Sequence, residues 1–216
     1  MISIKSFVFN PFSENTYVLF DETKDCIIID PGCYENNEKE ELKNFIDENG
    51  LNVARLLNTH CHIDHVLGNY FVANTFNVDL EIHERELAIL KAVPSYSSNY
   101  GFPNYEEQLP GKFLKENDQV RFGASSLQVL FTPGHAPGHM LFISKKQKFC
   151  IGGDVLFQMS IGRTDLPGGD FDTLIDSIQQ KIFPLGDDWV VYPGHGSTTT
   201  IGFEKENNPF CKILSS

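Results

Sequence analysis

The sequence lacks the features of a membrane protein or a disulfide-stabilised scaffold. No apolar run approaches the ~20 residues that a membrane-spanning helix needs, and no charged segment followed by a long apolar stretch opens the chain, so we expect no signal peptide. The five cysteines are odd in number and scattered, without a C-x-x-C pair, which argues against a disulfide framework. These absences predict a protein of the reducing cytoplasm.

Basic residues are also scarce, with 17 Lys and Arg against 29 Asp and Glu and a formal net charge of −12. An acidic surface repels phosphate backbones, and the densest basic run, residues 145–148, is short enough to be a solvated turn. We therefore expect no nucleic-acid partner. The 216 residues, 41% of them hydrophobic, contain no low-complexity segment or linker, which favours one domain over residues 1–216.

Short runs of β-branched and aromatic residues recur along the chain and are separated by turn signals. The expected strands are 2–9, 15–20, 26–29, 53–57, 120–122, 127–131, 140–143, 149–151 and 189–192. Residues 93–111 contain three prolines, two glycines and several aromatic rings. We interpret this segment as a loop, either ordered near the opening of a site or a plain surface excursion.

Three segments have the apolar spacing of amphipathic helices. The first ends before Gly50, a residue type that commonly terminates helices, and the third spans residues 172–183. The second follows residue 65, and its apolar stripe consists of Val66, Leu67, Tyr70 and Phe71. The order of strands and helices indicates an α/β fold with two similar halves.

The strongest motif is at residues 60–65, which read His-Cys-His-Ile-Asp-His. In an extended loop, residues i and i+2 point the same way, so His60 and His62 can chelate one ion. Asp64 and His65 lie where the loop turns into a helix, and their side chains can diverge to hold a second ion. Imidazole and carboxylate donors suit Zn²⁺, and also Fe or Mn.

Two ions need more ligands than this motif offers, and three further candidates stand at strand ends beside glycine. They are His135 in Thr-Pro-Gly-His, Asp154 in Gly-Gly-Asp and His195 in Pro-Gly-His-Gly. Glycine lets the backbone turn sharply there, and active sites commonly lie on loops at strand ends. His139 falls outside the ligand pattern, and we expect a structural role for it.

Together with Asp-Pro-Gly at residues 30–32, these motifs resemble those of the metallo-β-lactamase fold superfamily, and within it the glyoxalase II-like group of hydroxyacylglutathione hydrolases. The resemblance covers nearly the whole chain. It implies a four-layer αββα sandwich, with the metal site at one edge of the two packed sheets. It also implies that Asp30 orients the His-rich loop by hydrogen bonding, as residues that support metal ligands do.

The resemblance assigns seven side chains to two metal ions. His60, His62 and His135 would hold the first ion, Asp64, His65 and His195 the second, and Asp154 would bridge both. Two divalent ions are therefore the expected cofactors, with Zn²⁺ as the first choice and Fe or Mn as alternatives.

Residues 162–169 and 200–210 resemble the corresponding stretches of short, single-domain bacterial members of this group. Arg163 in the first stretch has two readings: contact with a substrate carboxylate, or an ion pair that braces its own loop. Longer glyoxalase II enzymes carry a C-terminal helical domain that grips glutathione. Only 21 residues follow His195, so we expect no such domain here, and the thiol carrier is left open.

We hypothesise thioester hydrolysis of a small-molecule substrate by a monomer or homodimer. A hydroxide shared between the two ions would attack the carbonyl, with Asp64 orienting this nucleophile as well as binding metal. One ion would stabilise the oxyanion. A thiolate with a pKa near ~8.5 can leave without a dedicated acid, which favours a thioester over an amide.

Several alternatives share the same scaffold. A persulfide dioxygenase would use one iron bound by His60, His135 and Asp154, whereas a lactonase would keep all seven ligands. A β-lactamase is disfavoured, since such enzymes typically have Cys or Ser where Asp154 stands. From a different class, the chain would be a non-catalytic, metal-stabilised binding module. Metal count and substrate turnover separate these readings.

Overall fold

The computed structural model describes residues 1–212, which contain two six-stranded sheets. The first sheet has the order β1 (Ser3–Phe9), β2 (Glu14–Phe20), β3 (Asp25–Ile29), β4 (Asn52–Leu57), β5 (Leu80–His83) and β6 (Pro110–Leu114). The second has the order β14-β13-β10-β9-β8-β7, formed by β7 (Gln119–Phe122), β8 (Ser125–Phe131), β9 (Met140–Ser144), β10 (Phe149–Gly153), β13 (Val190–Pro193) and β14 (Thr199–Thr200). A small hairpin pairs β11 (Leu156–Phe157) with β12 (Ser160–Ile161).

Helices cover the outer face of each sheet. They are α1 (Asn36–Glu48), α2 (Ile63–Val66), α3 (Asn69–Phe76), α4 (Leu87–Tyr96), α5 (Phe171–Ser177, continued by a π-helical turn over Ile178–Ile182), α6 (Ile201–Asn207) and α7 (Pro209–Lys212). Buried residues of α1 to α4 pack on the first sheet, and those of α5 to α7 pack on the second. Within residues 1–212, no helix combines the length and apolar character that crossing a membrane requires.

The central strands β2, β3, β9 and β10 are buried on both faces, and alternate residues therefore enter different layers. Leu19 and Ile27 pack between the two sheets with Phe142. Val18 and Ile28, one position along, pack against the helices on the outer face. The expected αββα sandwich is confirmed, and its central strands read as largely apolar runs because neither of their faces meets water.

The loop expected over residues 93–111 is only partly present. Helix α4 extends to Tyr96, and β6 begins at Pro110. Leu90 and Val93 are fully buried at helical spacing, and Pro94 is accommodated near the end of the helix. The density of proline and glycine concealed this helix and strand in the sequence.

The helix expected after the His-rich motif is divided into α2 and α3 at Gly68. A Cβ at this position would lie 2.5 Å from Sγ of Cys33, so only glycine allows the close approach. The break rotates the apolar stripe: Tyr70, which we placed on the buried face, is 38% exposed, and Val72 is buried instead.

Candidate active site

Four strand ends meet at one edge of the sandwich and carry all seven predicted ligand side chains. Strand β4 leads into residues 60–65, and the loop between β8 and β9 carries His135. Asp154 directly follows β10, and His195 lies two residues after the end of β13. An isolated β-bridge joins His195 to Glu14 at the start of β2. This bridge ties the edge of the second sheet to that of the first.

Three ring nitrogens converge in what we call the three-histidine group: His60, His62 and His135. Nε2 of His135 lies 2.8 Å from Nδ1 of His62 and 3.2 Å from Nε2 of His60. The structure therefore brings together the first predicted ligand set, although His135 is 73 residues away from His62 in the sequence.

The hydrogen bonds around this group determine where the ring hydrogens lie. The Thr59 hydroxyl donates to Oδ2 of Asp30 (2.6 Å), so it accepts from Nδ1 of His60 (3.1 Å). Nδ1 of His135 donates to the backbone oxygen of Arg163 (2.7 Å). Nε2 of His60 and Nε2 of His135 therefore carry lone pairs that face each other, and two lone pairs cannot form a hydrogen bond. A metal cation fits such converging lone pairs.

The second set, which we call the carboxylate group, consists of Asp64, His65 and His195. Oδ2 of Asp64 lies 3.1 Å from Nε2 of His195 and 3.7 Å from Nε2 of His65. The opposite ring nitrogens are anchored: Nδ1 of His65 lies 3.2 Å from Asp30, and Nδ1 of His195 donates to the backbone oxygen of Phe12 (3.1 Å).

Asp154 lies between the two groups. Its Oδ1 is 3.4 Å from Nε2 of His65, and its Oδ2 is 3.5 Å from Nε2 of His195 and 3.6 Å from Nε2 of His135. Oδ1 of Asp154 and Nε2 of His65 are buried without a hydrogen-bond partner, a costly arrangement for polar atoms unless a cation compensates them. The seven donors therefore fit two divalent ions.

Neighbouring residues hold Asp154 in place. Its backbone N–H donates to Nε2 of His139 (3.1 Å), whose ring stacks on His60 with the ring centres 5.0 Å apart. A Cβ on Gly194 would lie 2.1 Å from Oδ1 of Asp154, so glycine is required for this approach. These contacts agree with the structural role expected for His139.

The two groups differ in protonation. Burial lowers the pKa of His60 well below its usual value and that of His62 to about 3, so both rings are neutral at pH 7. Burial also opposes charge on His195, but hydrogen bonds and charge from the facing carboxylates outweigh it and raise its pKa to about 10. The charge of His65 holds the pKa of Asp154 well below its usual value despite burial.

Asp30, the residue expected to orient the His-rich loop, is buried next to it. Its Oδ1 accepts from the backbone N–H of Thr59 (2.7 Å), while Oδ2 accepts from the Thr59 hydroxyl and faces His65. The carboxylate of Asp30 thus supports the three-histidine group through Thr59 and the carboxylate group through His65.

Glu86 is a supporting residue that the sequence did not reveal. It is fully buried, with Oε2 accepting from the backbone N–H of Cys61 (2.8 Å) and Oε1 from that of Gly138 (2.6 Å). It therefore links the loops that carry His60 and His135. The two residues before it, Glu84 and Arg85, are charged and exposed, and no motif marks it. Burial raises the pKa of Glu86 to about 7.

A cleft of about 650 Å³ opens onto the seven side chains. Ile89, Ala92 and Tyr96 of α4 line one side, and Phe157 and Leu166 are among the residues that line the remainder. Residues 93–111, which we interpreted as a loop either near the opening of a site or on the surface, thus contribute to the cleft. They do so through Tyr96 at the end of α4.

The Arg163 side chain contacts a residue of its own loop. Nε and one terminal nitrogen of its guanidinium each donate to a different carboxylate oxygen of Asp165, both at 2.7 Å. The side chain thus forms an ion pair within its own loop, at the rim of the cleft. Its backbone oxygen, as described above, orients His135.

Comparison with known proteins agrees with this geometry. The model of the metallo-beta-lactamase superfamily matches residues 9–195. The hydroxyacylglutathione hydrolase GloC of Haemophilus influenzae is 40% identical over 206 residues, 94% of this chain and 95% of that protein. The probable metallo-hydrolase YqgX of Bacillus subtilis is 35% identical, with 95% of each chain covered.

Solved structures show the same fold. BLEG-1, a B3 metallo-beta-lactamase, superimposes with a TM-score of 0.88 at 35% identity and covers 97% of this chain and 100% of its own. TTHA1623 in a di-iron-bound form gives 0.85 at 31% identity, covering 95% and 99%. ETHE1 from Myxococcus xanthus gives 0.79 at 25% identity, covering 96% and 83%. This chain therefore belongs to the metallo-β-lactamase superfamily and is a metallo-hydrolase of that fold.

Proposed function

We propose that this protein hydrolyses acyl thioesters in the manner of a hydroxyacylglutathione hydrolase, with one domain, residues 1–216, carrying the activity. The observation that carries the proposal is the position of Asp154 between two complete ligand groups. The 40% identity to GloC over nearly the whole length supports the same class of reaction.

His60, His62 and His135 would hold one divalent ion, Asp64, His65 and His195 the other, and Asp154 would contact both. When bound, the two ions supply Lewis acidity, which lowers the pKa of water from ~16 toward ~7 and polarises a carbonyl oxygen. Zn²⁺ suits these nitrogen and oxygen donors best, with Fe or Mn as alternatives.

The protein's own residues supply positioning. Asp64 lines the cleft, and its carboxylate would orient the attacking water in addition to holding metal. Asp30 and the backbone oxygens of Phe12 and Arg163 keep the imidazole rings aimed at the centre. Water adds to the thioester carbonyl carbon, the C–S bond breaks, and an acid and a thiol are released. The thiolate needs no dedicated proton donor to leave.

We also propose a cytoplasmic protein that acts on a small molecule as a monomer or homodimer, without a nucleic-acid or membrane partner. All five cysteines are buried and unpaired, as expected of a reducing compartment. The net charge of −12 disfavours phosphate-rich partners.

Elemental analysis combined with a substrate panel tests the function. We expect about two ions per chain and turnover of S-lactoylglutathione or a simpler thioester without oxygen uptake. One iron per chain with oxygen uptake on a persulfide would instead identify the dioxygenase alternative. The panel includes a lactone and a β-lactam, because a lactonase would retain the same ligands and BLEG-1 is a β-lactamase of the same fold. Absence of turnover with every substrate of the panel would favour the non-catalytic, metal-stabilised binding module.

A further inference from the structure

The cleft above the ligand groups is apolar on most of its surface. Beyond the metal-binding side chains, it is lined by aliphatic and aromatic residues, including Ile63, Ile89, Tyr100, Phe157 and Leu166. Tyr100 is 52% exposed and its ring lies 6.3 Å from that of Phe12 at the rim. A ligand binds more favourably to such walls when it buries methylene groups against them than when it buries charged groups.

The cleft offers little to a carboxylate. Among the described residues that line it, Arg163 is the only lysine or arginine. Two of its guanidinium N–H groups, along one edge, already donate to Asp165 at 2.7 Å each, and the carboxylate of Asp165 offsets its charge. A ligand carboxylate at Arg163 would therefore meet a neutralised ion pair rather than an isolated cation, which brings little net gain at an exposed site.

We propose that this cleft selects acyl thioesters with an apolar acyl chain and an uncharged thiol carrier, and that Asp165 lowers the affinity for carriers bearing carboxylates. The inference rests on the proposed hydrolytic function and specifies its substrate class. A tripeptide thiol such as glutathione carries two carboxylates, and the one arginine among the described residues that line the cleft is already paired with Asp165.

Steady-state kinetics with two matched series of thioesters test the selection. One series carries acetyl, butanoyl, hexanoyl and octanoyl groups on neutral N-acetylcysteamine, and the other carries the same groups on glutathione. We expect kcat/KM to rise about two- to fourfold per added methylene until the cleft is filled, and the neutral carrier to be preferred at each length. Rates independent of chain length, or a consistent preference for glutathione, would overturn the proposal.

The Asp165→Asn variant tests the role of the ion pair. Releasing Arg163 should lower KM for the glutathione series about two- to fivefold, the range of an exposed ion pair, and leave the neutral series unchanged. Asp188→Asn is the matched control, because Asp188 forms a similar exposed ion pair with Lys148, and neither residue lines the cleft. An equal change in both series, or none, would show that Asp165 has no part in selection.

Binding measurements separate this inference from the proposed function. S-hexyl-N-acetylcysteamine and S-hexylglutathione are thioethers that cannot be hydrolysed, and calorimetry with the metal-loaded protein gives their dissociation constants. Tighter binding of the neutral thioether, strengthened by a longer alkyl chain, would support the selection even if no thioester were turned over. Tighter binding of S-hexylglutathione would refute it even if thioesters were hydrolysed.

Discussion

The three-histidine group and the carboxylate group hold their donor atoms by different chemistry. In the three-histidine group, burial keeps the rings of His60 and His62 neutral, and the lone pairs on Nε2 of His60 and Nε2 of His135 face each other without a hydrogen between them. In the carboxylate group, His65 and His195 face the carboxylates of Asp64 and Asp154, and the pKa of both rings is raised.

This difference indicates that protons compete for the ring nitrogens of the carboxylate group at a higher pH than for those of the three-histidine group. An imidazolium is stabilised by the carboxylates that face it, whereas facing lone pairs with lowered pKa values gain protons only at low pH. Although the two groups share Asp154, they should respond differently to substitution and to acid.

The largest effect is expected from Asp154→Ala, which removes the carboxylate that lies between the two groups. The variant should lose at least one ion and almost all activity, with kcat/KM reduced by at least on the order of 10²- to 10³-fold. Elemental analysis and thioester kinetics measure both quantities. Retention of both ions together with normal turnover would remove Asp154 from its bridging position.

His62→Ala and His195→Ala separate the two groups. Each substitution damages one group, so each variant should retain about one ion per chain and lose most of its activity. Metal content of the two proteins, purified in parallel, provides the measurement. If the His195→Ala variant kept the metal content and the activity of the unmodified protein, the carboxylate group would have no role in catalysis. That result would favour the alternative with a single iron.

Glu86→Gln should weaken the three-histidine group selectively. The amide keeps one acceptor but presents N–H to a backbone N–H, so one of the two loop contacts is lost. We expect metal affinity about 10- to 100-fold lower, measured by competition with a chromogenic chelator. Asp21→Asn is the control, since Asp21 similarly links two turns, through Thr23 and Ala124, away from the cleft. Equal losses in both variants would indicate general destabilisation.

Acid should produce the smallest and most specific difference. As the pH falls, protons compete first for His65 and His195, whose pKa values are raised, and only later for His60 and His62, whose values are lowered. The carboxylate group should therefore release its ion at a higher pH than the three-histidine group. Metal content after dialysis across a pH series checks the order. Simultaneous release would show that Asp154 couples the groups into one unit.

Much of the fold and of the candidate site could be predicted from local patterns. The strands around β2 and β3 are visible as apolar runs, and helix α1 ends where Gly50 indicates. The prediction was wrong where a local signal misled: the proline-rich segment hid the end of α4 and the start of β6, and Gly68 looked like an ordinary helical position. Its packing against Cys33 depends on a distant loop.

The sequence by itself determined the ligand types and their spacing, because donor chemistry and the geometry of an extended loop act over a few residues. Only the tertiary structure decided how the groups meet and what holds them. Glu86 reaches backbone groups 25 and 52 residues away. Buried hydrogen bonds of this kind follow from the packing of distant segments, which no short segment encodes.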